Sequence, residues 1–550
     1  MRTLSRFSAQ SSLLPFTCVL VLSGALGCGS SGSTGIGERD GDGNLIDESG
    51  EPAAPKVVIG LSRTASISSV DISQGVRVKL FAGTDELPAK QAPLVAGRKG
   101  LVRAFVEVEK SQKVKGRLTL EDPEGKKLVL EAEATLGNAS VNEADLSTTL
   151  NFELGEGVLP AGSLRYSIEL LEEDGIPLEE QGSVKSRFPL EGGTATLQTN
   201  PVNEALKIVI VPVQYDADGS GRMPDTSPAQ LKLLEETLYA RYPVSKIDMS
   251  VRAPLKWSQT IGANGQGFSQ VLQAMLQLRQ KEKASFETYY WGMFAPSTDM
   301  QTYCRNGGCV LGLSPLAEDA QDSSFRASVG IGFGGKRGAT ESANTMAHEI
   351  AHAHGRNHAP CGGASGADTK FPYKTGGIGV QGYHVFTKEL FSTTRYKDMM
   401  GYCTPEWISD YTYNALFNRI TSVNKYAVKA AAGIGGSNAN PSAVSRIVEV
   451  GTDGALTFGQ TLETTRPAGE EVGVSLELDS GATLSTTARF IRYDHLPGGF
   501  MLLPEAELLH ARSLKILRAP VAMPVIAAKS LALPRSIGTS IQVAPDFSAR

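Results

Sequence analysis

Apolar and polar side chains alternate in short runs between residues 56 and 200, as in Val102-Arg103-Ala104-Phe105-Val106-Glu107-Val108 and Gly116-Arg117-Leu118-Thr119-Leu120, with Gly, Pro and Asp between the runs. A period of two buries one face of a strand and exposes the other, so this stretch predicts a β-sandwich of immunoglobulin-like type. The pattern changes at Leu206-Lys207-Ile208-Val209-Ile210-Val211-Pro212-Val213, a nearly continuous apolar run that suits a strand covered on both faces. Helical spacing follows over 228–242 and 268–283, with strands at 247–251, 288–294, 309–313 and 327–333 leading into a further helix. Alternation returns after about residue 437, for example in Val472-Gly473-Val474-Ser475-Leu476-Glu477-Leu478, and predicts a second sandwich. The expected fold is therefore multidomain: an α/β unit with a mixed twisted sheet over 201–430, flanked by β-sandwich domains over 56–200 and 431–550.

A chain of 550 residues is too long for one core, and 41% hydrophobic with 20% charged residues is an ordinary globular balance. The net charge is -5 and no long run of Lys or Arg occurs, so nothing attracts a phosphate backbone and no nucleic-acid partner is expected. Residues 1–27 read as an export signal, with Arg2 and Arg6 ahead of a short apolar stretch that is interrupted by Pro15 and too short to span a bilayer comfortably. The run Ala25-Leu26-Gly27-Cys28 resembles the lipobox of bacterial lipoproteins, which implies lipid on Cys28 and membrane attachment through that lipid only. An ordinary secretory signal is the alternative, and either one exports the chain. Residues 28–55 are rich in Gly, Ser and acidic side chains and predict a flexible tether. Within them, Asp40-Gly41-Asp42-Gly43-Asn44 has the look of a calcium loop but lacks its closing Glu, so a solvated linker is expected. Of six cysteines, Cys304, Cys309, Cys361 and Cys403 lie beyond the signal and the lipid position. In an exported chain they predict two disulfides, with three pairings open.

The chemistry concentrates in His348-Glu349-Ile350-Ala351-His352-Ala353-His354-Gly355-Arg356-Asn357-His358, which holds four of the chain's seven histidines. Residues four apart on a helix share a face, so His348 and His352 can bind one metal ion. Ala343, Ala347, Ile350 and Ala351 supply an apolar stripe to bury the helix. Gly355 can adopt positive φ and turn the chain so that His358 arrives from another direction, leaving a fourth coordination position for water. Glu349 is then placed to act on that water as general base and later as acid. His354 matches no ligand position and reads as a surface residue or one just outside the ligand shell.

These residues fit H-E-x-x-H-x-x-G-x-x-H at every fixed position, and the pattern resembles the metzincin clan of zinc endopeptidases. The resemblance covers roughly 206–427 and implies one catalytic zinc ion. It extends to Asp398-Met399-Met400-Gly401-Tyr402-Cys403, which is similar to the clan's methionine turn, with Met400 as platform and Tyr402 as a residue that contacts the zinc or steadies the tetrahedral intermediate. Cys361 follows the third ligand and Cys403 follows that turn, so a bond between them would clamp the metal site; this pairing is favoured, with Cys304 to Cys309 as the other. By element order, Val310, Leu311, Gly312 and Leu313 match the clan's edge strand, which holds substrate extended through main-chain hydrogen bonds. The His358-Ala359-Pro360-Cys361 run and the 403–413 segment with Trp407 resemble bacterial secreted metzincins, including those that cut mucin-like glycoproteins. Silencing by a propeptide cysteine, common in the clan, has no counterpart, since no cysteine lies between Cys28 and Cys304. The Asp216-Ala217-Asp218-Gly219-Ser220-Gly221 run and Asp225 offer oxygen ligands for calcium, although a turn after a strand explains them without an ion.

The expected activity is therefore zinc-dependent hydrolysis of peptide bonds in extracellular proteins or glycoproteins. Two rivals are a surface adhesion or binding lipoprotein with a vestigial metal site, and a zinc hydrolase that acts on another kind of bond.

Overall fold

A computed structural model describes residues 58–83, 85–137, 142–201, 205–432, 443–451, 455–464, 469–518 and 530–532. The segments expected as export signal and tether, with Cys28 and the Asp40 to Asn44 run, lie outside these residues. The chain is mixed α/β and mostly strands, arranged in several sheets.

The first strands pair as the alternation predicts. Ala65–Ser73, Arg77–Phe81, Gly100–Val108 and Leu150–Leu154 form a four-stranded antiparallel sheet. A second sheet, of seven strands, is built around Gln112–Glu121, Lys127–Leu136 and Gly162–Glu173. The two press closely together: a Cβ on Gly116 would lie 2.2 Å from Leu150 Cδ2 and 3.2 Å from Phe152 Cζ. Val102, Leu118, Phe152 and Ile168 are buried in the shared core.

The middle sheet runs in the order Ile247–Val251, Leu206–Tyr215, Tyr289–Phe294, Ala327–Ile331 and Gly312–Leu313, with Leu255–Trp257 also paired to Leu206–Tyr215. All neighbours are parallel except the last, which is antiparallel and forms the edge. Strands covered on both faces need apolar residues throughout, and the two faces enter separate cores. Ile208, Ile210, Trp291 and Met293 point to one core, while Val211, Val213, Tyr290 and Phe294 point to the other. The helices Pro228–Arg241 and Gly335–Ala353 cover the first face, and Phe268–Lys281 covers the second. Only Gly312–Leu313 of the expected 309–313 strand is paired as strand, because the Val310 N–H turns away to the Ala263 carbonyl at 2.8 Å.

The C-terminal strands depart from expectation. They form one seven-stranded sheet instead of a pair of layers. Along Gly499–Pro504, Met501 and Leu503 fill that sheet's own interior, while Phe500 and Leu502 pack into the second core of the middle sheet. The face that would have needed a second layer is covered by the α/β unit itself. Among the described residues, no helix is long and apolar enough to cross a membrane.

Candidate metal centre

The helix Gly335–Ala353 carries the first half of the site. Its stripe of Ala343, Ala347, Ile350 and Ala351 is fully buried, and Tyr242 Oη donates to the Ala347 carbonyl at 2.6 Å, fixing the helix against its neighbour. Gly355 ends the helix with φ 80°, and a Cβ there would meet the Ala317 carbonyl at 2.9 Å. Conformation and space both call for glycine. The bend brings His358 back over the helix, with its Nε2 3.2 Å from His352 Nε2, which is itself 2.9 Å from His348 Nε2.

Each of the three rings is held by its other nitrogen. His348 Nδ1 donates to the Met399 carbonyl and His358 Nδ1 to the Ser365 carbonyl, both at 2.6 Å, and His352 Nδ1 donates to the Arg356 carbonyl. A carbonyl only accepts, so the ring proton sits on Nδ1 and every Nε2 presents a lone pair. Three lone pairs this close repel unless a cation lies among them. The donor set thus fits a metal ion that takes nitrogen ligands, and the carbonyl partners are the usual outer support for such imidazoles. Burial holds His348 and His352 well below the ordinary imidazole range and His358 down to about 4, which keeps all three in the neutral, ligating form.

The turn after the motif is tied to two ligand segments. Met399 provides the carbonyl for His348, and the Met400 carbonyl accepts from the Ala359 N–H at 2.9 Å, next to His358. Asp398 holds the turn through Met400 N–H at 2.8 Å and Ser409 N–H at 2.9 Å. Met400 itself is buried in the core beside the motif helix. Cys361 is bonded to Cys403, with Cα atoms 5.7 Å apart, and Cys304 to Cys309 at 5.1 Å. Both bonds suit an oxidising compartment, outside the cell or in a periplasm. Tyr402, exposed over nearly half its surface, places its hydroxyl 3.3 Å from His358 Nε2.

Two residues absent from the sequence reading enter from the C-terminal sheet. Asp494 and His495 sit in the turn between Thr483–Arg492 and Gly499–Pro504. His495 Nε2 is 2.8 Å from Glu349 Oε1, and its Nδ1 is 2.6 Å from the Tyr402 hydroxyl. Asp494 Oδ2 lies 3.4 Å from His352 Nε2. The four imidazoles form one group that can hold a metal ion, and Glu349, Asp494 and His495 form a second, overlapping one. Burial, reinforced by Asp494, holds the Glu349 carboxyl well above the usual carboxylate range. Burial pushes Asp494 the same way, but the His495 and His352 rings outweigh it and keep Asp494 low. Glu349 Oε2 and Asp494 Oδ2 are buried with no hydrogen-bond donor, which again points to a proton or a cation shared among them. The fourth position, expected to be open, is thus faced by His495. Nothing local in the sequence marks it; the only cue is a histidine outside the motif placed just before a Pro-Gly-Gly turn.

The remaining candidates are used otherwise. His354 is neither at the surface nor beside the ligands: it is buried, donates from Nδ1 to the Ile350 carbonyl at 2.7 Å and stacks on Tyr289 with centroids 4.2 Å apart. Asp216 caps its own turn at Gly221 N–H, Asp218 binds Ser220 and Arg222, and Asp225 accepts from Ser227 N–H, so the acidic run at 216–225 is occupied by its own loop. Gly312 and Leu313 form the sheet edge beside Glu349, while Val310 and Leu311 precede the strand. A scan against protein-family models finds no match to this chain, and a search of curated proteins finds none either.

Proposed function

We propose that the protein is an exported zinc endopeptidase of the metzincin type. It hydrolyses peptide bonds in extended segments of extracellular proteins or glycoproteins, and lipid on Cys28 holds it at the outer face of a bacterial envelope. One observation carries the reading: three imidazole lone pairs converge from a helix and the bend after it, with the Glu349 carboxylate buried beside them. A bound zinc ion would polarise the scissile carbonyl and acidify the attacking water.

The chain's own groups do the rest. Glu349 takes a proton from that water onto its carboxylate and delivers it to the amine nitrogen as the C–N bond breaks. A carboxyl held high by burial makes its carboxylate the stronger base for the first step and keeps the captured proton until the second, which supports this assignment. Tyr402, with its hydroxyl next to His358 Nε2, is placed to donate to the oxyanion of the tetrahedral intermediate. The Gly312–Leu313 edge offers main-chain groups to an extended peptide, which favours unfolded or loosely structured substrates.

Cleavage of casein and of a mucin by the purified chain tests this reading. Glu349→Ala should lose about 10²- to 10⁴-fold in rate, and a chelated sample should lose all activity and regain it with Zn²⁺. If the metal-loaded chain cuts neither substrate, either intact or as His495→Ala, the endopeptidase is ruled out and an adhesion or binding lipoprotein takes its place.

A further inference from the structure

We propose that His495 is a fourth metal ligand, and that the turn carrying it closes the centre to substrate in the resting chain. The inference rests on the reading of His348, His352 and His358 as a metal site and adds its regulation.

The ring can present its nitrogen as the other three do. Those have Nδ1 on backbone carbonyls, whereas His495 sets Nδ1 against the Tyr402 hydroxyl and Nε2 beside Glu349 Oε1; with its ring proton on Nδ1, donated to Tyr402, Nε2 carries a lone pair at the edge of the cluster. Its centroid lies 4.9, 5.6 and 5.0 Å from those of His348, His352 and His358, against 4.6 to 5.4 Å among the three. One ligand atom from each of the four lies within 4.8 Å of all the others. Four imidazoles at such spacing satisfy a tetrahedral ion and leave no position for water.

The turn also lies where a substrate would. Tyr493 makes an antiparallel bridge to Pro315, just past the Gly312–Leu313 edge, and Asp494 Oδ1 accepts from the Ser314 N–H at 3.0 Å. An extended peptide added to this edge would compete for the same groups. The His495 ring also crowds Glu349, with Nε2 2.8 Å from Oε1, so ligand position, carboxylate and edge are covered by three consecutive residues. Behind them, Ile491, Tyr493, Phe500 and Leu502 are buried in a core shared with the middle sheet, which holds the turn in place. Opening therefore needs the turn at 494–498 to swing away while Tyr493 and the sheet stay docked. With no propeptide cysteine available, a histidine from the C-terminal side would supply the latency.

The test uses the full chain and Zn²⁺ or Co²⁺ alone, so it does not depend on peptidase activity. The expected results are one ion per chain, Zn²⁺ binding weakened by at least about tenfold in His495→Ala, and a changed visible spectrum of the Co²⁺-loaded variant. His495→Gln, which can still hydrogen-bond Tyr402, should behave like the Ala variant, and both should melt with the metal-free wild type. Peptidase turnover should rise in both as the fourth position opens. If affinity and Co²⁺ spectrum are unchanged in both variants while His348→Ala abolishes binding, the inference falls and the three-histidine site stands. Two ions per chain would also overturn it, and no metal bound by the wild type would sink both readings.

Discussion

At the scale of single residues, the site depends on one side chain that is missing. A Cβ on Gly312 would lie 2.4 Å from Glu349 Oε1, 2.5 Å from its Cγ and 2.6 Å from its Cδ. The glycine on the edge strand is thus what leaves room for the Glu349 carboxylate. Gly312→Ala should displace the carboxylate by a few tenths of an ångström or more, and small misplacements of catalytic groups cost up to about 100-fold in rate. We expect kcat/KM to fall by at least about tenfold with Zn²⁺ affinity little changed, as the nearest atoms that a Cβ at 312 would meet all belong to Glu349; steady-state kinetics beside a zinc titration would show it. An unaltered kcat/KM would mean that Glu349 relaxes freely or is not the base. The sequence already displayed the three clustered imidazoles, because helical spacing and a turn glycine are local. It could not display the pairing of Gly312 with Glu349, or the arrival of Asp494 and His495, since both arise from contacts between distant segments.

At the scale of elements, the bend that carries His358 and the turn at 398–403 that supports His348 are joined by one covalent bond. The Cys361–Cys403 disulfide spans 42 residues, and besides it the Tyr402 N–H donates to the Cys361 carbonyl at 3.1 Å. Closing a loop of that length in the unfolded chain corresponds to about 4 kcal/mol, against about 2 kcal/mol for the five-residue Cys304–Cys309 loop. Replacing Cys361 and Cys403 together by Ser should lower the denaturant midpoint more than the same change at Cys304 and Cys309. It should also weaken Zn²⁺ binding, because the Met399 carbonyl that orients His348 lies on the clamped turn. Equal effects from the two pairs would remove the clamp from the account. Elements whose apolar spacing is regular were legible in the chain: the strand Leu206–Tyr215 and the helix Pro228–Arg241 lie where their patterns place them. The 22-residue helix Asp410–Ala431 is absent from that reading, although Tyr413, Leu416, Ile420, Val423 and Ala427 are buried at helical intervals. Its start, Ser409 capping Thr412 N–H, follows directly on the loop-like Thr404-Pro405-Glu406-Trp407 run, which masks the periodicity.

At the scale of the whole molecule, each large sheet shares a core with a neighbour, and the C-terminal sheet has an interior of its own besides. The N-terminal layers share one core with the motif helix and one face of the middle sheet, and the other face shares a second core with the C-terminal sheet. Buried polar contacts follow the same lines: Arg98 donates to the carbonyls of Val244 at 2.8 Å and Ala240 at 3.1 Å, and Trp407 Nε1 to that of Gly75 at 2.8 Å. Cutting away 433–550 would uncover Phe325, Leu272 and their neighbours, which pack into the core that Phe500 and Leu502 complete. Exposed apolar area of that extent drives association. The 205–432 segment expressed alone should therefore aggregate, whereas the chain from residue 58 onward should unfold in one calorimetric transition with the van't Hoff and measured enthalpies equal. Two resolved transitions, or a soluble and folded 205–432 fragment, would show that the sheets are separable. A single transition has a consequence for latency: release of the C-terminal sheet would then unfold the centre along with it, leaving local movement of the turn at 494–498 as the way to uncover Glu349.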